Sequence, residues 1–287
     1  MKVLITGSNG QLGIALANEF PYSIKVDSDE LDITNHDQVV SFDLTDIEAI
    51  INAAAYTKVD DAENPDNQEI VEKVNKEGVA NLVELASKKD IPLVHVSTDY
   101  VFNGNKDGEY TEGDEFNPLN VYGKAKAEGD LVAQSYPKHY IFRTSWVIGE
   151  GNNFIRTMLK LSKNKIDPAV VNDQFGRLTF TKTLAEGIKF ALQNNIPFGT
   201  YNLTNDGDIA SWADIAKAVF EMSSEDPTRI SPVSTEEYYR GKEGFIAKRP
   251  KNSTLNLSKI KKFGFNPSDW RLMLKEYINK EIEKGSN

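Results

Sequence analysis

Tyr122 and Lys126 stand four residues apart, a spacing that puts both on one face of a helix. A phenol, with a pKa of about 10, is a poor acid–base group at neutral pH. A nearby ammonium favours the tyrosinate and lowers that pKa, which makes the phenol usable for proton transfer. Upstream, the apolar run 93–97 delivers Ser97-Thr98-Asp99-Tyr100. A hydroxyl at Thr98 can hydrogen-bond a substrate carbonyl oxygen and orient it. Any helix with surface charges carries a Tyr-x-x-x-Lys, so the pair acquires meaning only from the elements around it.

A second constellation opens the chain. Thr6-Gly7-Ser8-Asn9-Gly10-Gln11-Leu12-Gly13 follows one apolar run and precedes a helical pattern. Gly7 permits a tight turn, Gly10 lets the backbone approach a pyrophosphate, and Gly13 lets helix pack on strand. The helix N-terminus adds free N–H groups and positive potential. Strand, glycines and helix in this order point to a dinucleotide site. The second apolar run ends at Asp27, where an acidic side chain can hydrogen-bond ribose hydroxyls and favours NAD over NADP. Lys25 is the nearby cation, so NADH and NADPH both stay open, with a lean to NADH. Asp32 and Ile33 offer either an adenine-edge contact or a helix N-cap. Asn52-Ala53-Ala54-Ala55-Tyr56-Thr57 closes the third run with small residues. These let a flat cofactor lie against the backbone, or serve tight packing.

These residues need elements to hold them. Apolar runs at 2–6, 23–26, 49–52, 93–97 and 140–143 read as strands, and 11–20, 35–42, 68–88 and 121–135 as helices. Strands apolar on both faces, alternating with helices, imply an α/β fold, a doubly wound parallel sheet of the Rossmann type. Beyond Trp146 the pattern loosens. Helices are expected over 153–162, 182–193, 211–222 and from 268 onward, strands over 169–172 and 200–203, and loops over 223–253. Ser211 with Asp214 forms a capping-box pattern. The expected division is a dinucleotide-binding domain of residues 1–145 plus 170–205 and a smaller C-terminal α/β substrate-binding lobe of residues 146–169 plus 206–287. The polar end, 283–287, is expected to fray. Trp212 and Trp270 start amphipathic helices and read as core; His95, inside a strand, reads as a core histidine.

The 287 residues carry 33 Lys+Arg against 43 Asp+Glu, a net charge of −10, which disfavours nucleic acid as a partner. There is no cysteine, and His36, His95 and His139 are the only histidines. Disulfides and thiolate sites are excluded, and no metal site is expected. No run reaches the roughly 18 apolar residues of a membrane span. Met1-Lys2 leads straight into a strand with no signal-peptide layout, so the expected location is the cytoplasm.

Taken together the motifs resemble those of the extended short-chain dehydrogenases/reductases and, within them, the dTDP-4-dehydrorhamnose reductase family. Matching stretches include Gly7–Gly13, Leu31-Asp32-Ile33-Thr34, Asn52–Asp60, Ser97-Thr98-Asp99-Tyr100-Val101-Phe102, Pro118–Gly123, Arg143-Thr144-Ser145-Trp146, Asp173-Gln174-Phe175-Gly176 and Arg249–Ser253. They run in order over nearly the whole chain. The resemblance implies NADPH- or NADH-dependent reduction of the C4 ketone of dTDP-4-dehydro-β-L-rhamnose to dTDP-L-rhamnose, the last step of dTDP-rhamnose synthesis. It implies Tyr122 as proton donor, Lys126 as the group holding it and the nicotinamide ribose, and Thr98 as the third catalytic residue. Gly10, Gln11 and Leu12 would lie on the pyrophosphate, and Asp27, Asp32 and Ile33 on the adenosine half. Ala55, Tyr56 and Thr57 would line the cofactor's other edge.

Thr98, Asp99 and Trp146 would face the sugar. Asn153 and Arg249 are expected at the nucleotide diphosphate, because two phosphates on a protein of this charge need a local arginine. Some family members bind Mg2+ at a subunit contact; no ligand cluster here predicts it, and a homodimer stays open. Dehydratases of the superfamily place Asp-Glu after the threonine, whereas Asp99-Tyr100 follows Thr98 here, which argues against dehydration. An epimerase or reductase acting on another nucleotide-deoxysugar shares the triad and stays open. So does a non-catalytic NADP-binding regulatory subunit of methionine adenosyltransferase, which has no chemical need of an intact Thr98, Tyr122 and Lys126.

Overall fold

The computed structural model describes residues 1–284. Strands β1 (Val3–Thr6), β2 (Ile24–Val26), β3 (Ala49–Asn52), β4 (Leu93–Thr98) and β5 (His139–Thr144) form one parallel sheet with the Gly199–Asn202 strand. The order is β2-β1-β3-β4-β5 and then Gly199–Asn202. The chain leaves β1 toward β2 and returns across it to β3. The carboxyl ends of β1 and β3 therefore flank a crevice at the switch in strand order, where such sheets bind ligands.

Helices cover both faces: α1 (Gln11–Glu19), α2 (His36–Val40), α3 (Gln68–Glu72), α4 (Gly78–Lys89), α5 (Val121–Gln134), α6 (Phe154–Lys163) and α7 (Thr181–Gln193). Val3, Ile5 and Ile51 pack with Leu16 of α1 and with Leu184 and Ile188 of α7. Leu4 and Ile50 point the other way, onto Leu82 and Leu85 of α4. Burial on both faces is why the strands read as unbroken apolar runs.

The helix expected over 68–88 is interrupted by a π-turn at Lys73–Glu77. Asn75, buried in that turn, accepts from Tyr56 N at 2.9 Å and donates to Tyr56 O at 3.1 Å. The extra residue in the turn serves the strand-end loop rather than the helix, as π-turns often do beside functional sites.

A second core gathers Ile155 and Met158 of α6, Val219 and Phe220 of α8 (Trp212–Met222), and Trp270, Leu274 and Ile278 of the Trp270–Lys284 helix. The packing crosses the expected domain boundary both ways. Val170, Leu178 and Phe180 join this second core, while Leu257 and Ile260 join the first. The segment expected as loop, 223–253, holds the Ser231–Val233 strand, paired with Ala169–Val171, and the Thr235–Tyr239 helix. Both are too short for periodicity to reveal. The expected capping box of Ser211 with Asp214 is formed, and Ser234 with Glu237 forms another. Of the end expected to fray, Glu283 and Lys284 are helical, and residues 285–287 lie outside the described residues. Among the described residues no helix is long and apolar enough to cross a membrane.

Candidate active site

After β1 the chain turns through Gly7 at φ +67°, a backbone state open to glycine. A Cβ on Gly7 would stand 2.6 Å from Ala54 N, and one on Gly13 would run into the Gly7 carbonyl. Gly13 thus packs the loop rather than lining the cleft. Gly10 is the N-cap of α1 and supplies no side-chain cap, so first-turn N–H groups remain available to an anion.

A groove of about 420 Å3 at this point is lined by Gly7, Gly10, Asp27, Asp32, Ile33, Ala55 and Tyr56. Asp27 is set at its edge by Asn9 N and Ser28 N, which donate to its carboxylate at 3.0 and 2.9 Å. Asp32 accepts from Thr34, whereas Asn35 caps α2. The N-cap alternative for Asp32 is therefore taken by Asn35.

A neighbouring cavity of about 500 Å3 shares Gly10, Ala53 and Ala55 with the groove and adds Gln11, Leu12 and Thr57. Thr98, Asp99, Tyr122, Lys126 and Trp146 line this cavity too. Asn120 caps α5 by accepting from Gly123 N at 2.7 Å. Gly123 lies so near Tyr100 O that a side chain there would collide with it. A glycine at that point lets α5 bring Tyr122 up to the end of β4.

Burial pushes the Tyr122 phenol above its ordinary range, against the pull of a hydrogen bond with Thr98. Burial thus opposes the lowering expected from a neighbouring ammonium and favours the protonated phenol. Lys126 is buried, donates to Val96 O at 2.7 Å and lies 3.2 Å from His95 Nε2. Burial lowers its pKa to about 8. Burial also raises Asp99 to about 7, although hydrogen bonds from Ser253 and Thr98 oppose it.

Three placements differ from the expectation or add to it. Asn153 caps α6, accepting from Arg156 N at 3.0 Å, and donates to Gly149 O and Tyr277 Oη at 2.9 and 2.8 Å. Its amide is spent on the fold and does not line the cavity. Arg249 donates to Asp60 at 2.7 Å and lies over the Tyr239 ring. It too is absent from the cavity lining. Trp212 packs against the second core as expected and also lines the cavity. Its ring stacks on Trp146, whose own backbone sits at φ +49°, a state that bulky residues avoid. Trp270 is core as expected, fully buried. Asn75 is the functional neighbour that sequence reasoning missed; an asparagine amid a helical pattern was its only signal.

The sequence profile of the RmlD substrate binding domain matches residues 1–282. The chain belongs to this family. It is 42% identical to a dTDP-4-dehydrorhamnose reductase of Aggregatibacter actinomycetemcomitans over 96% of this chain and 97% of that one. With the dTDP-4-dehydrorhamnose reductase of Escherichia coli K12 it shares 36% identity over 97% of each chain. Among solved structures, a dTDP-4-dehydrorhamnose reductase of Clostridium acetobutylicum superposes with a TM-score of 0.89 at 38% identity, covering 97% of this chain and 99% of that one. The Bacillus anthracis dTDP-4-dehydrorhamnose reductase, solved in complex with NADP, gives 0.88 at 35% identity, covering 98% and 99%. A dTDP-glucose 4,6-dehydratase of Streptomyces venezuelae, at 18% identity and a TM-score of 0.81, shares the fold. Within the RmlD family frame, the glycine loop, Thr98, Tyr122 and Lys126 all meet at one cleft.

Proposed function

We propose that this chain is an NAD(P)H-dependent oxidoreductase that reduces the C4 ketone of dTDP-4-dehydro-β-L-rhamnose to dTDP-L-rhamnose, the last step of dTDP-rhamnose synthesis. The observation that carries the reading is the convergence of Thr98, Tyr122 and Lys126 on a cavity that shares Gly10, Ala53 and Ala55 with the glycine-loop groove. The named relatives and the NADP-bound neighbour support the same reading.

The groove fits a dinucleotide. Gly10 leaves the helix end uncapped, and Gly7 lets the loop close on β3. Asp27 stands where a ribose hydroxyl can donate to it. A reduced nicotinamide bound here supplies the hydride. The chain's own residues manage the oxygen. Thr98 Oγ1 orients the ketone, and Tyr122 Oη gives that oxygen its proton. The protonated, buried state of Tyr122 suits a donor. Lys126, as ammonium, stabilises the tyrosinate left behind. Asp99 and the Trp146–Trp212 pair face the sugar. A cytoplasmic location and a homodimer belong to the same reading; sedimentation of the 32.1 kDa chain separates one from two copies.

The test is oxidation of NADPH and of NADH, followed by absorbance, with dTDP-4-dehydro-β-L-rhamnose generated in situ and the product identified by NMR. Tyr122→Phe should lower kcat by roughly a hundredfold or more while still binding cofactor. Wild-type protein that binds cofactor yet leaves the ketone untouched would overturn the proposal.

A further inference from the structure

Lys126 and Asp130 lie four residues apart on α5, and both side chains are buried. A lysine and an aspartate at that spacing ordinarily attract one another, and burial adds to the attraction because an unpaired charge is costly there. Yet no ion pair joins them among the described residues. Asp130 Oδ2 accepts from Arg143 Nε at 3.0 Å, and Oδ1 has no hydrogen-bond partner. The imidazole of His95, on β4, lies against both groups. Its Nε2 is 3.2 Å from Lys126 Nζ and 3.8 Å from Asp130 Oδ1.

The surrounding hydrogen bonds decide where the ring carries its hydrogen. Ala54 N and the Thr6 hydroxyl donate to Asn52 Oδ1 at 3.1 and 2.8 Å. The amide nitrogen of Asn52 therefore faces His95 Nδ1, at 3.3 Å. Nδ1 accepts, and Nε2 carries the hydrogen. Burial and Lys126 hold the ring well below the usual histidine range, so it is neutral. A ring N–H turned toward Lys126 and Asp130 is no acceptor for an ammonium. Lys126 donates to Val96 O at 2.7 Å instead.

We infer that His95 is a positioning residue, a neutral wedge that keeps Lys126 from pairing with Asp130 and leaves its ammonium facing the cavity beside Tyr122. The inference rests on the reductase reading above. Around Lys126, His95 of β4 approaches to 3.2 Å, Tyr122 stands one turn back on α5, and Asp130, whose Oδ2 is held by Arg143 of β5, acts on it from one turn ahead. Without the wedge, Asp130 draws the ammonium away from Tyr122 and stabilises its charge.

The test compares pH profiles of kcat for wild type, His95→Asn, His95→Gln and the double variant His95→Asn/Asp130→Asn. Asparagine reproduces Nδ1 and removes Nε2; glutamine reproduces Nε2. His95→Asn is expected to lower kcat roughly tenfold and to move the basic limb up by about one pH unit. His95→Gln should keep the wild-type limb and most of the turnover. In the double variant, with no carboxylate to reach, the limb returns downward. A wild-type limb in folded His95→Asn, whatever its kcat, overturns the inference, as does identical behaviour of the Asn and Gln variants. Melting temperatures identify folded protein. Should His95→Asn not fold, Asp130→Glu, whose longer carboxylate reaches past the imidazole, is measured with the same shift expected, and an unmoved limb overturns the idea. NADPH dissociation constants across pH carry the same limb through Lys126. They are measured whether or not the ketone turns over, so failure of the reductase reading is told apart from failure of the wedge.

Discussion

Trp146 and Trp212 stack with ring centroids 3.9 Å apart and planes 22° from parallel. One follows β5 and the other opens α8, so the pair joins the sheet's carboxyl edge to the second core and closes one side of the cavity. On the proposed function, this apolar roof would cover the keto-sugar and shed water, while the glycine-loop groove lies at the other side of the cleft.

Trp212→Ala should therefore act on the sugar nucleotide. An aromatic pair contributes about 1 kcal/mol beyond the area it buries, so KM is expected to rise roughly fivefold or more. The dissociation constant for NADPH should hold. Steady-state kinetics and a fluorescence titration separate the two. A variant that loses NADPH affinity and keeps its KM would move the pair to the cofactor.

The Asp99 carboxyl links stability to pH. Its folded pKa is about 7 against an ordinary 3.8. Between these values the native state holds a proton that the unfolded chain has released. This contribution to stability is full below 3.8, declines as pH rises through the window, and is gone above about 7. Asp99→Asn removes that slope. Melting temperatures from pH 4 to 8 should show a shallower decline in the variant, at about 2–4 °C for each kcal/mol. Parallel curves for the two proteins would show that the carboxyl titrates normally.

Arg249 should matter more to the fold than to the substrate. Its pair with Asp60 is partly exposed, and such pairs contribute up to about 1 kcal/mol. Arg249→Gln is expected to lower the melting temperature by a few degrees, with KM for the sugar nucleotide changed less than about threefold. A tenfold rise in KM at unchanged stability would restore the diphosphate role expected from the sequence.

Gly13→Ala tests the loop. The added methyl would run into the Gly7 carbonyl, a clash with backbone that can be relieved only by moving the turn. A loss of about 1–3 kcal/mol is expected, with NADPH binding weakened because the loop must shift. Gly113→Ala, which meets nothing within 4 Å, serves as the matched control and should melt with wild type.

Much of this was legible along the chain. The five strands of the first half, the glycine loop and the Tyr122–Lys126 spacing are local features. Apolar runs must be buried, a tight turn against a strand needs glycine, and residues four apart on a helix share a face. These rules need no knowledge of distant residues, and the β1 to β5 alternation followed from them.

Other features depended on partners far along the chain. Asn153 and Arg249 have chemistry suited to a diphosphate, but Tyr277 and Asp60 claim them, and no local pattern shows who a polar side chain will meet. Trp212 reads as core from the amphipathic helix it begins; only the stacking on Trp146 shows that it faces the cavity. Asn75 looks like an ordinary helical residue until the π-turn brings it to Tyr56. His95 was legible as a core histidine, yet its contacts with Lys126 and Asp130 exist only once β4 packs under α5. Residue types and short-range spacing, then, determine the sheet, the cofactor loop and the catalytic group. Tertiary packing decides which polar groups remain free to act, because a hydrogen-bonding group or charge serves the fold or the ligand according to what lies within about 3 Å of it.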